Sequence, residues 1–513
     1  MISIDELKRL CRVGENCEVE FKDGREGFPG KELWKSYSAF ANTNGGLIVI
    51  GVVEEKGKGH VRFLSEGLEK SKFETWKKNF WDDANNSSKV NLSLLSENDV
   101  LEVPVSESRW VLAFRVPRAD YRVRPIYIND NIQTGTYKRR HEGDYRCPIE
   151  EIKAMIRDAN MDGNDGLHLE HYGMEDIDLP TLHAYRQLFQ NRNVDHALNE
   201  LNDKEFLRCV GGYYTDRETG TEGLTMAGLL MFGKGLPIRE RFPMIRMDYI
   251  DKTNLQGEDM RYSDRITYDM NWENNLYQFV KRVLPRLTSD LKVPFVLENG
   301  IRTADTPMHK LIREALTNMI IHADLLMEGI LRVEKREDGY FFSNPGYLKL
   351  SVEDIYRGET SKARNPKLQD MFRLMGFGDN IGTGFPTLIK TWKKEAGQAP
   401  ILTERPEVQV VELSFAGLKR KSQNDPKNDP KNDPKNEPKT GPKIGPKIGP
   451  KNQPNRQTRI VQIISERPDI TKPEIARVLR VSLSTIKRDL KKIEHIVVHV
   501  GPTNGGEWKF VAE

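Results

Sequence analysis

The chain has 513 residues, and at about 150 residues per domain that length implies three or four domains rather than one core. Hydrophobic residues make up 37% and charged residues 30%. The longest purely apolar run, Trp110 to Phe114, falls far short of the ~20 residues of a membrane-spanning helix, and 79 basic against 76 acidic residues leave a net charge of only +3, so partners must be read from how charge is distributed.

The opening Met1-Ile-Ser-Ile-Asp-Glu-Leu-Lys carries acids in its first helical turn and no basic-then-apolar order. No secretory leader is expected, and the protein is expected to be cytoplasmic, with no membrane partner. Cys11, Cys17, Cys147 and Cys209 are too few and too unevenly spaced for a disulfide frame or a Cys-x2-Cys zinc site.

Cys17-Glu-Val-Glu-Phe-Lys22 alternates with the period of a strand. A helical stretch follows over Lys31 to Asn42, and then Asn44-Gly-Gly-Leu-Ile-Val-Ile-Gly-Val-Val, a tight turn into a buried strand. Between Arg115 and Arg146 eight Arg or Lys face four acids, interleaved with Tyr121, Tyr127, Tyr137 and Tyr145. Guanidinium groups beside aromatic rings suit phosphate contacts and base stacking, so Arg122, Arg124, Lys138, Arg139, Arg140 and Arg146 are the candidate nucleic-acid contacts of this module. An ordinary solvated hairpin is the alternative.

The motifs Glu15, Glu20-Phe21-Lys22, Ala39-Phe40-Ala41-Asn42-Thr43-Asn44-Gly45-Gly46 and Ile50-Gly51-Val52 make residues 1–160 resemble the Schlafen-type AlbA_2 domain, a nucleic-acid-associated αβ module. In members that cleave RNA, two strand glutamates and an aspartate after Gly-Val form an acidic site. Glu15 and Glu20 match the glutamates, whereas Val53 stands where the aspartate is expected, followed by Glu54 and Glu55. A metal-dependent nuclease acting through Glu15, Glu20 and Glu54 is the alternative that this resemblance implies.

Asp162-Gly-Asn-Asp-Gly166 breaks the helical pattern of Glu150 to Asn160. Residues 165–415 then read as an α/β connecting region, whose apolar run Leu224 to Phe232 ends at Gly233, followed from Trp272 by long helix, helix, hairpin, helix and terminal strand. No Gly-x4-Gly-Lys-Ser/Thr loop occurs. In Leu311-Ile-Arg-Glu-Ala-Leu-Thr-Asn-Met-Ile-Ile-His, Glu314 and Asn318 stand four apart on one helix face. A carboxylate there can orient water while the amide carbonyl holds Mg²⁺.

The series Arg313-Glu314-Ala315-Leu316-x-Asn318, His322-x-Asp324, Phe342-Ser-Asn344-Pro345-Gly346, Arg364-Asn365-Pro366 and Gly382-Thr383-Gly384 resembles the divergent GHKL-type ATPase domain, an α/β sandwich compared with a tail segment of the RecG helicase. That resemblance implies ATP and Mg²⁺ as cofactors. Glu314 would be the base of a weak ATPase and Asn318 the Mg²⁺ ligand. Asn344 and Gly346 would form the adenine-side turn, and Gly382, Thr383 and Gly384 a phosphate loop at a helix N-terminus. Arg364 is either a γ-phosphate sensor or an ion-pair partner. Two departures stand out: Asn344 replaces the adenine-binding aspartate, and the glycine loop is short.

From Asn424 to Pro454 proline recurs every fourth residue, so residues 416–454 read as a disordered Pro/Lys/Asn linker. Residues 455–513 follow as a tethered module of three helices and a hairpin, with Thr471 as N-cap and Glu474 three positions on. Its core is read as Leu483, Ile486 and Leu490. Residues 451–495 hold eleven Lys or Arg against five acids. The pattern resembles a winged helix-turn-helix, in which Ser482, Ser484, Thr485, Lys487, Arg488 and Lys491 would meet a major groove. Together these readings give an α/β (α+β) multidomain chain, an ATP-binding, DNA-binding transcriptional regulator with DNA, or RNA, as partner and a homodimer suited to two half-sites. A defence-associated nucleic-acid-binding scaffold is a further alternative.

Overall fold

The computed structural model describes residues 3–418 apart from the short segments 58–59, 161–162, 256–259, 292–296, 299–300, 303–305, 359–360 and 378–383. In the C-terminal region it describes residues 460, 463–464, 467, 470–479, 486, 490, 497–500 and 507–510. The chain divides into two compact units, Met1–Asp425 and Pro426–Glu513. Of the expected linker, residues 416–418 are described and held to the first unit, with the Leu418 N–H on the Asp338 carbonyl at 2.7 Å, and residues 419–454 lie outside the described residues.

The first unit opens with α1 (Ile4–Val13), β1 (Val19–Lys22), α2 (Gly30–Ala41), β2 (Gly46–Ile50), the hairpin β3 (Val53–Gly57) and β4 (His60–Leu64), β5 (Leu68–Glu69), α3 (Lys70–Ala84), β6 (Val100–Ser106) and β7 (Arg109–Val116). The strands form a sheet ordered β1-β2-β7-β5, with β6 also on β7; β1 and β2 run parallel and β2 meets β7 antiparallel. Because side chains alternate across a strand, Ile48, Ile50, Leu112 and Phe114 pack on one face with Trp34, Tyr37, Phe40 and Phe80 of α2 and α3. Val49, Val111 and Ala113 pack on the other with Leu7 of α1.

The Ala-Phe-Ala-Asn-Thr-x-Gly-Gly motif has a structural explanation here. Asn42 exchanges two hydrogen bonds with Ile126, donating to its carbonyl at 2.7 Å and accepting from its N–H at 2.8 Å. Thr43 accepts from the Arg139 N–H at 2.9 Å. Gly45 sits at φ +78°, where a Cβ would come within 2.7 Å of the Val116 carbonyl, so only glycine turns the chain there without strain.

Next come α4 (Ile132–Gly135), β8 (Tyr137–Arg140), β9 (Gly143–Arg146) and α5 (Ile149–Asp158). The connecting region holds β10 (His168–Leu169), α6 (Leu179–Arg192), α7 (Asp203–Cys209), β11 (Tyr213–Thr215), β12 (Glu222–Thr225), α8 (Met226–Phe232) and α9 (Gly235–Arg241). The second large sheet takes β13 (Ile245–Asp251), β14 (Asp264–Ile266), β17 (Gly329–Arg336), β18 (Gly339–Pro345), β19 (Ile401–Arg405) and β20 (Val410–Phe415), ordered β14-β13-β17-β18-β20-β19. A small hairpin, β15 (Leu297–Glu298) and β16 (Ile301–Arg302), lies between β14 and β17 in the chain. Helices α10 (Leu276–Thr288), α11 (Pro307–Ile321), α12 (Val352–Arg357), α13 (Pro366–Leu374) and α14 (Gly384–Ala396) complete the unit. Leu276, Phe279, Val283, Leu311, Ile312 and Leu316 bury their apolar stripe with Leu331, Val333, Phe342 and Phe415 of the sheet. The mixed α/β multidomain class is thereby established.

In the second unit, helix Lys472–Leu479 starts at the expected cap: Glu474 accepts hydrogen bonds from the Thr471 N–H (2.9 Å) and hydroxyl (2.7 Å). Ile486 and Leu490 are buried with Ile460, Ile464, Ile470 and Ile475. Trp508, on the antiparallel pair β21 (Val497–Val500) and β22 (Glu507–Phe510), donates to the Ile470 carbonyl at 2.8 Å. Leu483 lies outside the described residues.

Candidate nucleotide site and nucleic-acid surface

Helix α11 begins at Thr306, whose hydroxyl caps the His309 N–H, with Pro307 in the first turn. Its apolar stripe packs into the core, and Glu314 and Asn318 line a cavity of roughly 410 Å³ between the helix and the sheet. Cavities of about 300–1,000 Å³ are typical of small-ligand sites. Asn318 Nδ2 donates to Glu314 Oε1 at 3.3 Å, which turns the amide oxygen away from the carboxylate. Phe342 and Asn344 of β18, Leu402 of β19 and Val411 and Leu413 of β20 supply a mostly apolar wall.

Two glycines shape the rim. Gly346 has φ +118°, and a Cβ there would come within 3.0 Å of Asp324 and 3.1 Å of Arg364. Gly384 opens α14 beside Glu314, where a Cβ would stand 2.6 Å from Glu314 Oε1. Gly382 and Thr383 lie outside the described residues. Asn344 is buried and donates to the carbonyl of Pro345 at 3.3 Å.

Arg364 is the ion-pair partner of the two roles considered for it. It donates from Nε and Nη2 to Asp158 at 2.7 and 2.8 Å, from Nη2 to the Tyr347 carbonyl at 2.7 Å, and from Nη1 to the His322 carbonyl. With its guanidinium committed in this way and 3% exposed, it fastens the pocket wall to α5 rather than offering donors to a phosphate. Asn365 caps the end of α11 through the carbonyls of Ile320 (3.0 Å) and Ala323 (2.9 Å).

Among the pocket side chains not singled out as ligand contacts from sequence are His322, Lys349 and Lys362. Burial, with the Arg364 and Lys349 charges adding to it, lowers His322 from 6.5 to about 4, so the imidazole is neutral near pH 7. Burial also lowers the Lys349 ammonium, which lies 4.3 Å from the centre of the Tyr121 ring.

On the N-terminal module, Arg122, Arg140 and Arg146 are exposed; Arg122 pairs with Asp120 (2.8 Å) and Arg140 with Glu151 (2.8 Å). Lys138 pairs with Glu151 at 3.2 Å. Arg124 and Arg139 are buried instead of forming an exposed nucleic-acid face. Alternation along β8 turns Arg139 inward, where it meets Glu20 (2.7 Å), Asp144 (2.9 Å) and the carbonyls of Asn16 and Val19.

The same contacts involve residues of the acidic-site alternative. Glu20 is bonded to both Lys22 and Arg139. Glu15 accepts the Phe21 N–H at 2.8 Å, and burial, reinforced by Glu20, raises its carboxyl against that bond. Glu54 is exposed on β3. Among the described residues no group of three or more His, Cys, Asp or Glu is placed to hold a metal ion. Ser482, Ser484, Thr485, Lys487, Arg488 and Lys491 all lie outside the described residues.

Residues 15–148 match the Schlafen AlbA_2 family model. Residues 332–413 match the model described as putative ATP-dependent DNA helicase recG C-terminal, and residues 153–248 match a domain of unknown function, DUF8451. Among solved structures, the DIP2311 protein from Corynebacterium diphtheriae is 17% identical, covering 96% of this chain and 79% of that chain with a TM-score of 0.37. The N-terminal domain of a putative ATP-dependent DNA helicase RecG-related protein from Nitrosomonas europaea is 28% identical, covering 29% of this chain and 95% of that chain with a TM-score of 0.23. No curated protein matches the chain. Among the described residues no helix is long and apolar enough to cross a membrane.

Proposed function

We propose that the chain is an ATP-binding, nucleic-acid-contacting regulator of transcription, acting in the cytoplasm. One observation carries the nucleotide half: Glu314 and Asn318 sit together on the cavity side of α11, with Gly384 at the head of α14 leaving room where a Cβ would strike Glu314. The residues present fit a purine triphosphate with Mg²⁺. The Asn318 amide oxygen would hold the cation, the N-terminal end of α14 would face phosphate, and the apolar wall from β18 to β20 would take the base. When bound, Mg²⁺ supplies charge neutralisation on phosphate oxygens. Glu314 is the side chain placed to draw a proton from water, and Asn344, an amide where a carboxylate is usual, makes a weaker acceptor for an adenine amino group.

The nucleic-acid half is supported by the AlbA_2 match, the exposed Arg140 and Arg146 and the basic C-terminal sequence. A homodimer would place two such surfaces on two half-sites. Nucleotide can bias DNA binding only if its affinity differs between two arrangements of the protein. Fluorescence anisotropy of labelled duplex with the full chain, with and without Mg-ATP, tests the reading. Salt-sensitive binding that changes with Mg-ATP is expected. Failure to bind duplex or single strands in low salt would contradict the nucleic-acid role, and equal affinity in both conditions would remove the coupling.

A further inference from the structure

A second, smaller cavity of about 110 Å³ lies where the N-terminal module meets the second sheet. Its walls include Arg118 and Arg124 from the segment after β7, Thr43 and Asn44 from the turn after α2, and Leu348 and Glu404 from the opposite side. Arg118 donates to Asn44 Oδ1 at 2.9 Å and to the Leu348 carbonyl at 3.2 Å. Arg124, 9% exposed, donates to the Lys349 carbonyl at 2.8 Å, and its Nε is buried with no hydrogen-bond partner.

Among the described residues the buried arginines are Arg124, Arg139 and Arg364; Arg139 and Arg364 are each held by carboxylates, whereas Arg124 is not, and Arg118 beside it is half-buried. Arg118 and Arg124 meet only neutral oxygens. Of the acids on the same wall, Glu151 pairs with Lys138 and Arg140 and Asp158 with Arg364, while Glu404 accepts the Leu348 N–H at 3.0 Å and acts on both arginines through its charge without forming an ion pair with either. A buried guanidinium with an unpartnered Nε and no carboxylate in contact is costly, and an arginine fork matches a tetrahedral oxyanion.

We propose that this cleft is a phosphate-binding site in which Arg118 and Arg124 hold one phosphate group, supplied as free phosphate or as a nucleic-acid diester. The cavity is too small for a nucleotide; it adjoins the one lined by Glu314, sharing Tyr347 and Leu348, but Arg118 and Arg124 line only the smaller one, so the proposal does not rest on ATP binding. Burial lowers both arginines, Arg124 to about 10, and a bound anion would relieve that penalty.

The test is the melting temperature of the full chain in sodium phosphate against sodium chloride at matched ionic strength and pH. Phosphate should stabilise the wild type above chloride, and Arg124→Gln should weaken its apparent affinity by tenfold or more. Adding a short single-stranded oligonucleotide assigns the source: displacement of phosphate identifies a diester site, and no displacement a free-phosphate site. Because Arg124 also holds the Lys349 carbonyl, a folding defect in the variant is bypassed by soaking crystals of the unmodified chain with selenate, which should give an anomalous peak between Arg118 and Arg124. Equal stabilisation by the two salts, an undiminished phosphate effect in a folded Arg124→Gln, or selenate found only elsewhere would overturn the proposal.

Discussion

Arg364 and Asp158, 206 residues apart in the chain, meet in a buried two-point ion pair, with Nε and Nη2 at 2.7 and 2.8 Å from the two carboxylate oxygens. The same guanidinium holds the carbonyls of His322 and Tyr347, and Arg157 of α5 donates to Asp324 at 2.6 Å. The wall of the cavity lined by Glu314 and Asn318 is thus bolted to α5, the helix that follows the AlbA_2 segment.

Removing one partner strands a buried charge. Asp158→Asn should destabilise the first unit by about 3–5 kcal/mol in urea unfolding. The apolar pair Asp158→Leu with Arg364→Met should cost less than Asp158→Asn alone, since neither charge is then left unpaired.

Gly384→Ala should keep the fold and lose nucleotide affinity, because the new methyl meets the Glu314 carboxylate, which must shift from its place beside Asn318 to make room. Circular dichroism and equilibrium ATP binding together check this. Gly346→Ala should instead lower stability, since φ +118° is strained for any L side chain and backbone and buried groups crowd the site.

Acid should act through His322. The unfolded imidazole protonates near 6.5 and the folded one near 4, so its contribution is complete above about pH 6.5 and is lost as pH falls through 4. Asp165, raised by burial from 3.8 to about 7, runs the other way: its contribution is complete below about pH 3.8 and is lost as pH rises through 7. The two windows overlap. The stability difference between wild type and His322→Asn isolates the first and should shrink as pH falls from 6.5 to 4.

Two arginines in the basic stretch should behave oppositely. Arg139→Gln leaves Glu20 and Asp144 without their shared cation and should lower stability by about 3–5 kcal/mol. Arg146→Ala, at the surface, should leave stability unchanged and reduce the salt slope of nucleic-acid binding by about one.

Features set by local periodicity were legible in the sequence. The four-residue spacing of Glu314 and Asn318 put them on one face of α11 whatever the tertiary context, and Thr471 with Glu474 marked a helix start by cap chemistry alone. Legibility ended where a long-range partner decides. Charge counting could not tell Arg139 and Arg124 from Arg146, because burial depends on Glu20, Asn16 and the Lys349 carbonyl brought in by the fold. The choice for Arg364 required Asp158, and the roles of His322 and Lys349 depend on a cavity that no spacing rule reveals.

The most direct measurement is calorimetric titration of the full chain with Mg-ATP beside Asn318→Ala. The wild type should bind and the variant should bind at least tenfold more weakly, a loss of about 1.4 kcal/mol, with an unchanged melting temperature in the absence of nucleotide. A wild type that takes up no purine triphosphate, or an Asn318→Ala chain that binds it equally well, would contradict the account.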